Sequence, residues 1–373
     1  MHQAAAADLD LILGDLESWV NIDTPGGELG ALDAFAHQLG AHLEAGGLAV
    51  ELVPSAAGLY VHGVLEGSGR ASVALLCHHD TVFPAGTAAA RPFRVDGPRC
   101  YGPGVADMKG GIAVAAHTAR LLAAGPRPFA RLEVVSAPDE ESRPAAPATV
   151  GRFADFDAVL CLECGRPGGE VVSARKGASW FRIRAGGRPA HAGEAPHAGR
   201  NAAVALAREA IRLSGLHGAR PGVTLQITGL EAGEGLNTVP SSGRLTGDLR
   251  APTRADLDWA LGEILDFGAY DGVELGYESL GGPPPFERTP AVARLAETAI
   301  ALGNELGHPF GEATAGGVSD GSWTAARGIP TLDGLGPVGG DDHTPAEYAE
   351  IASLAPRCGV VAGLVAAVDA GLG

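Results

Sequence analysis

Three near-continuous apolar runs of strand length, ASVALLC (71–77), RLEVVSA (131–137) and DAVLCLE (157–163), most constrain what this chain can fold into. Strands that are apolar on both faces belong in a central sheet covered by helices on both sides, the usual setting of a mostly parallel sheet. Between the first two runs, MKGGIAVAAHTARLLAA (108–124) has helical periodicity. Polar residues with metal-binding chemistry punctuate the pattern. His78 and Asp80 follow the first run, Asp107 precedes the helix, Glu140 and Glu141 follow the second run, and Glu163 ends the third. Sites in open α/β sheets gather at the carboxyl ends of strands. These side chains, with the distant His343, therefore form the candidate site.

The length of 373 residues suits two domains. From about residue 178 the pattern changes. ASWFRIRAG alternates like a half-exposed strand, GRNAAVALAREAIRL is helical, VTLQITG and GRLTGDLRA read as strands, TRADLDWALGEILDF is helical, and GVELGYES is again a strand. The order β-α-β-β-α-β is that of a split βαβ sandwich. It predicts an inserted α+β domain over 178–284, between the segments 1–177 and 285–373 of the first domain. The proline run GGPPPFERTP (281–290) marks the return to that domain. HTPAEYAEIASL predicts a final helix, with Thr344 as cap, Pro345 in the first turn and Glu347 completing a capping box. His343 would then stand directly before a rigid element.

A formal net charge of −17, without a basic run, repels a phosphate backbone and argues against a nucleic-acid partner. The start, MHQAAAADLDLILGDLESW, has acidic residues where a signal peptide has a basic end. No later segment reads as a membrane span of ~20 apolar residues, so a soluble cytoplasmic protein is expected. Five cysteines without a paired framework fit a reducing compartment. Neither a G-x-S-x-G elbow nor a phosphate loop is present.

Two histidines and three carboxylates are the inventory for two zinc ions, leaving one Asp and one Glu to orient a ligand and act as a base. The expected activity is hydrolysis. His78 and Asp80, two apart at a strand end, leave the same face, where the carboxylate can hold the imidazole tautomer; a solvated loop with ordinary histidines is the alternative. His79 points to the other face. In YGPGVADMKGG (101–111) glycines permit a tight turn, and Asp107 can bridge two cations, cap the helix, or do both. The adjacent Glu140 and Glu141 repel unless cations offset them or one is protonated. One can ligate while the other takes a proton from water, the alternative being a charged surface turn. Cys161 and Cys164 form a C-x-x-C best read as buried strand cysteines. His37, His62, His117 and His308 read as packing or surface residues.

Taken together, HHDTVF, PFRVDGPRCYGPGVADMKGG, the DEES pair, Glu163, GRPAHAGEAPHAGRNAA and DDHTPAEY resemble the zinc-dependent metallo-aminoacylase and carboxypeptidase superfamily, nearest to its glutamate carboxypeptidase (glucarpidase) branch. The resemblance runs through nearly the whole chain. It implies a zinc-exopeptidase-like catalytic α/β domain and an inserted lid domain that makes a homodimer. By position it assigns His78 and Glu163 to one zinc, Glu141 and His343 to the other, and Asp107 to both; cobalt or manganese are possible substitutes. It makes Asp80 the support of His78 and Glu140 the general base. His191 would reach into a partner subunit's site to stabilise the oxyanion, Asn237 would meet substrate, and Arg250 would pair with its carboxylate. AGGVSDG (315–321) resembles the glycine-rich loop lining the pocket. Cys164 departs from the pattern, since many relatives carry proline there. The implied activity is cleavage of an amide next to a free carboxylate in a small peptide or N-acyl amino acid. An N-acyl-amino-acid deacylase of the acetylornithine or succinyl-diaminopimelate type is the rival enzyme, and a non-catalytic binding protein the rival of another class. An intact Glu140 argues against the last.

Overall fold

Amphipathic periodicity builds the first two helices. In α1 (Leu9–Val20) the residues Ile12, Leu16, Trp19 and Val20 are buried, and in α2 (Leu29–Ala45) Leu32, Phe35, Ala36, Leu39 and Leu43, the three- and four-residue spacing of a helix with one apolar face. The computed structural model describes residues 9–142, 145–233 and 235–372, so residues 1–8 of the acidic start lie outside the described residues. Strands β1 (Ala49–Ser55), β2 (Gly58–Glu66) and β3 (Ser72–His78) follow, then helix α3 (Lys109–Ala123) and strands β4 (Arg131–Ala137) and β5 (Ala158–Cys161).

The apolar runs do become the centre of a sheet. Its order is β1-β2-β4-β3-β5, with β4, β3 and β5 parallel and the β1–β2 hairpin antiparallel at one edge. A short parallel strand from the C-terminal part of the chain, Thr331–Leu332, joins beside β5. In β3 every residue after Ser72 is buried, as burial on both faces requires.

The chain divides into two units, the first comprising Met1–Ala174, Arg288–Ala315 and Ser319–Gly373, the second Arg175–Glu287 and Gly316–Val318. The second unit contains β6 (Gly177–Gly186), α4 (Ala202–Ser214), β7 (Thr224–Ala232), β8 (Ser242–Ala251), α5 (Arg254–Leu265) and β9 (Glu274–Gly281). Its sheet order is β7-β8-β6-β9, antiparallel throughout. Strands β6 and β7, joined through α4, are thus separated by β8, which is what defines a split βαβ unit. A core of its own, including Phe181, Ile183, Leu206, Leu213, Leu245, Leu249 and Ile264, closes it.

The first unit resumes with α6 (Pro290–Glu305), the short strands β10 (Thr331–Leu332) and β11 (Tyr348–Glu350), and helix α7 (Ile351–Ala367). Two expectations from the sequence are corrected here. The final helix does not start near His343: residues 341–347 form turns, and α7 begins only at Ile351. Asp341 and His343 have φ of 57° and 64°, left-handed values that cannot open an α-helix. Glu347 is not a capping residue, because its carboxylate binds backbone of another segment. Secondly, the stretch Ile351–Leu372 is long and apolar enough to cross a membrane by length and composition. Its most apolar 18-residue window is 78% buried inside the fold, and α7 packs against α3 and α6, as a core helix does.

Candidate metal centre

Every proposed metal ligand lies in the first unit, and the fold brings the five together. His78 ends β3, and Glu163 follows β5 beside it. Helix α3 places Asp107 by close approach to that neighbour: a Cβ added at Gly111 would stand 2.0 Å from Leu162 O, the residue before Glu163. Only glycine admits so short a separation between helix and strand end.

Asp107 faces a histidine with each carboxylate oxygen. Oδ1 is 3.1 Å from His78 Nε2 and Oδ2 is 3.1 Å from His343 Nε2. Glu163 Oε1 lies 3.7 Å from His78 Nε2, and Glu141 Oε2 lies 3.4 Å from His343 Nε2. Two three-ligand groups result, His78/Asp107/Glu163 and Asp107/Glu141/His343, sharing Asp107. Asp107 does not cap α3, whose N-cap is Met108, without a side-chain bond.

The neighbours of these groups fix their orientation. The backbone carbonyl of Asp80 accepts from His78 Nδ1 at 3.0 Å, which leaves Nε2 aimed at the carboxylates. The Asp80 side chain is more occupied elsewhere: it is 3.3 Å from His78 Nδ1 and accepts the backbone N–H groups of Glu140 and Glu141, both at 3.0 Å. This second role was not legible in the sequence. Glu140 belongs to neither three-ligand group.

The donor set fits divalent metal ions. Carboxylates and imidazoles are zinc ligands, and Glu141 Oε1 is buried without a hydrogen-bond partner, an acceptor that a cation would satisfy. The electrostatics agree. Burial pushes Glu163 and Glu140 well above the usual carboxylate range, with neighbouring carboxylates adding to it, and burial raises Glu141 as well. Burial also opposes ionisation of Asp107, but hydrogen bonds from His343 and His78 outweigh it and hold Asp107 well below the carboxylate range. Hydrogen bonds to Asp107 and Glu141 push His343 up to about 11.

A further His/Asp group, Asp15, His42 and His117, does not have this character. His117 Nδ1 accepts from Arg120 at 3.3 Å and its Nε2 donates to Asp15 Oδ2 at 2.8 Å. Its ring nitrogens are thus both committed, in keeping with a packing role.

His191, Asn237 and Arg250 lie in the second unit. His191 is exposed, and its Nδ1 accepts the backbone N–H groups of Gly193 and Glu194 at 3.2 and 3.1 Å. That leaves the proton on Nε2 as a donor. The backbone carbonyl of Asn237 accepts from Ala192 N at 2.8 Å, so the two candidate residues share one backbone junction. Arg250 already grips Asp248 through Nε and Nη2, at 2.7 and 3.0 Å, and stands 5.6 Å from the Trp180 ring. The D-x-R spacing of 248–250 carried that pairing, since alternate residues of a strand share a face. Cys161 and Cys164 are buried and form no disulfide; Cys161 ends β5 as a buried strand cysteine, whereas Cys164 lies beyond the strand, and its thiol reaches Asp342 at 3.6 Å, beside His343.

Residues 74–367 match peptidase family M20/M25/M40. The chain belongs to this family. Carboxypeptidase G2 of Pseudomonas sp. (strain RS-16) is 30% identical over 385 residues, covering 100% of this chain and 92% of that protein. A succinyl-diaminopimelate desuccinylase of Alkalilimnicola ehrlichii is 31% identical over 306 residues, covering 74% and 78% of the two chains. The crystal structure of aminopeptidase PepT from Bacillus cereus ATCC 10987 superposes with a TM-score of 0.80 at 20% identity, over 96% of this chain and 98% of that one, and shows the same fold. The M20 chain is accordingly a metallopeptidase or amidohydrolase with an α/β catalytic fold.

Proposed function

We propose that this chain is a two-zinc exopeptidase that cleaves the amide next to a free carboxylate, in the manner of a glutamate carboxypeptidase. One observation carries the reading: two three-ligand groups share the single carboxylate of Asp107, while Glu140, adjacent in sequence to the ligand Glu141, is left outside both. Zinc ions held there would supply Lewis acidity toward a carbonyl oxygen and toward water. Glu140 then takes the proton of the attacking water and returns it to the leaving amine. Its raised pKa, from burial and nearby carboxylates, suits a group that must hold that proton between the two steps. His191 Nε2–H donates to the developing oxyanion, Asn237 meets substrate beside it, and Arg250 holds the carboxylate. The second unit acts as a lid and joins two subunits: β7 is an edge strand of its sheet, and Val204, Ile211 and Leu230 on α4 and β7 are exposed at 45%, 74% and 43%, an unpaired edge with apolar residues that a second copy can cover. Five buried cysteines that form no disulfide suit a reducing compartment such as the cytoplasm.

The alternative is an N-acyl-amino-acid deacylase, favoured by the 31% identity to a desuccinylase, because one site chemistry serves recognition on either side of the amide. Metal analysis combined with turnover of matched substrates separates these readings. Zinc at two per chain, with preference for N-acylated glutamate carrying a large acyl group, is the expected result. Preference for acetyl- or succinyl-amino acids over N-acylated glutamate with a large acyl group gives the deacylase reading, and turnover without any metal overturns both.

A further inference from the structure

We propose that Glu347 is the positioning residue of the metal centre, holding the shared ligand Asp107 and the last ligand His343 in register with each other. The inference rests on the two-metal reading above. Glu347 is 1% exposed, and its carboxylate accepts three backbone N–H groups: Gly104 to Oε2 at 3.0 Å, and Ala106 and Asp107 to Oε1 at 2.9 and 3.0 Å. A buried carboxylate is costly unless such donors compensate it. Here all three donors come from the turn that carries Asp107, 240 residues away in sequence.

That turn needs an external holder. Gly104 has φ of 73°, and Asp107 precedes α3 rather than lying in it, so helical bonding does not fix its side chain. With the peptide planes on both sides of Ala106 bonded to one carboxylate, the Asp107 side chain has a defined departure point between His78 and His343. The other end of the linkage is equally constrained. His343 lies four residues before Glu347 in a left-handed conformation with φ of 64°, which an L-residue adopts only where its surroundings hold it. Thr344 Oγ1 donates to Asp341 O at 2.7 Å and accepts from Ala346 N at 3.2 Å, tightening the turn between ligand and anchor. A displacement of Glu347 therefore moves Asp107 and His343 together, and since Asp107 is shared, it alters both metal positions.

The test is metal affinity, measured by competition with a chromophoric chelator on metal-free protein, alongside circular dichroism and thermal unfolding. Glu347→Gln retains shape but replaces one acceptor oxygen with a donor that faces backbone N–H. Zinc should bind ~10–100-fold more weakly at both positions, the scale of lost outer-shell partners, whereas Glu163→Gln should weaken chiefly one. Glu347→Asp, which keeps the charge, should recover part of the affinity and serves if the Gln variant does not fold. A folded variant that unfolds at lower temperature but binds both metals like the unsubstituted protein, or loses only one, overturns the proposal. Failure of both variants to fold overturns it too, by making Glu347 a general folding determinant. If the unsubstituted protein itself binds fewer than two zinc ions, or Asp107→Ala leaves affinity unchanged, the two-metal reading is what has failed.

Discussion

The carboxylate of Asp80 lies across the backbone of Glu140, accepting its N–H at 3.0 Å with Oδ1 while Oδ2 accepts that of Glu141 at the same distance. One side chain thus aims both the proposed base and a proposed metal ligand. Asp80→Asn should lower kcat by ~10–100-fold, as other losses of orienting partners do, and weaken zinc binding. Steady-state kinetics and zinc content would check this, and an Asn variant with unchanged values of both would remove the orienting role.

The adjacent glutamates should fail differently. Glu140→Gln removes proton transfer alone, so metals and fold should persist while kcat falls ~10²–10⁴-fold or more. Glu141→Gln should lose metal, because Glu141 belongs to a three-ligand group. Retained zinc and near-normal turnover in both variants would contradict the assignment.

Proton release should accompany metal loading. His343 is pushed up to about 11 from 6.5 by its bonds to Asp107 and Glu141, and His78 is also raised. A histidine with a raised folded-state pKa stabilises the metal-free fold fully below its unfolded value, and that contribution fades as pH rises through the folded value. Metals require the neutral imidazole. The metal-free protein should therefore lose this contribution between pH 6.5 and about 11, while zinc affinity and the Tm gain on adding zinc rise. Calorimetric heats that do not depend on the ionisation enthalpy of the buffer would count against it.

His191→Ala should cut kcat with zinc content unchanged, because Nδ1 accepts two backbone N–H groups and only Nε2–H remains to donate. Mixing it with the Glu140→Gln variant under conditions of subunit exchange should recover partial activity if the two residues act from different subunits. Exchange without recovery points to a site completed within one chain.

Arg250 sets the expected end group of the substrate. Two of its N–H directions hold Asp248, and the remaining edge of the fork is suited to a second carboxylate. Arg250→Ala, or amidation of the substrate carboxylate, should lower kcat/KM by ~10²-fold or more, at about 1.5–3 kcal/mol per charged hydrogen bond. The partly exposed pair itself should contribute at most about 1 kcal/mol to stability, so Tm should scarcely move. Equal turnover of acid and amide would shift attention to the acyl side.

The strands and the positions of most candidate ligands were legible because the information is local. A run apolar on both faces specifies a central strand, and His78, Glu140, Glu141 and Glu163 lie at or just beyond the ends of such runs. The alternating pattern from residue 178 likewise gave the split βαβ order. Glu347 was misread for the opposite reason: Thr344 and Glu347 have the local spacing of a capping box, but the N–H groups that claim the carboxylate belong to residues 104–107. The assignment of Gly316–Val318 to the second unit and the pairing of Asp80 with Glu140 are similarly tertiary. Hydropathy alone also cannot distinguish α7 from a membrane span, since burial by protein and by lipid favours the same side chains.

Apart from Gly316–Val318, the second unit is one uninterrupted stretch, Arg175–Glu287, inserted into the first. On the ribosome it can close around its own core while the first unit still lacks α6, β10 and α7, because domains fold as units as they emerge. His343, the last proposed ligand to be synthesised, and Glu347 emerge only after that. A nascent chain therefore displays His78, Asp107 and Glu163 well before it can complete the second three-ligand group. On the two-zinc reading, loading with the full complement of metal is then an event of the finished polypeptide.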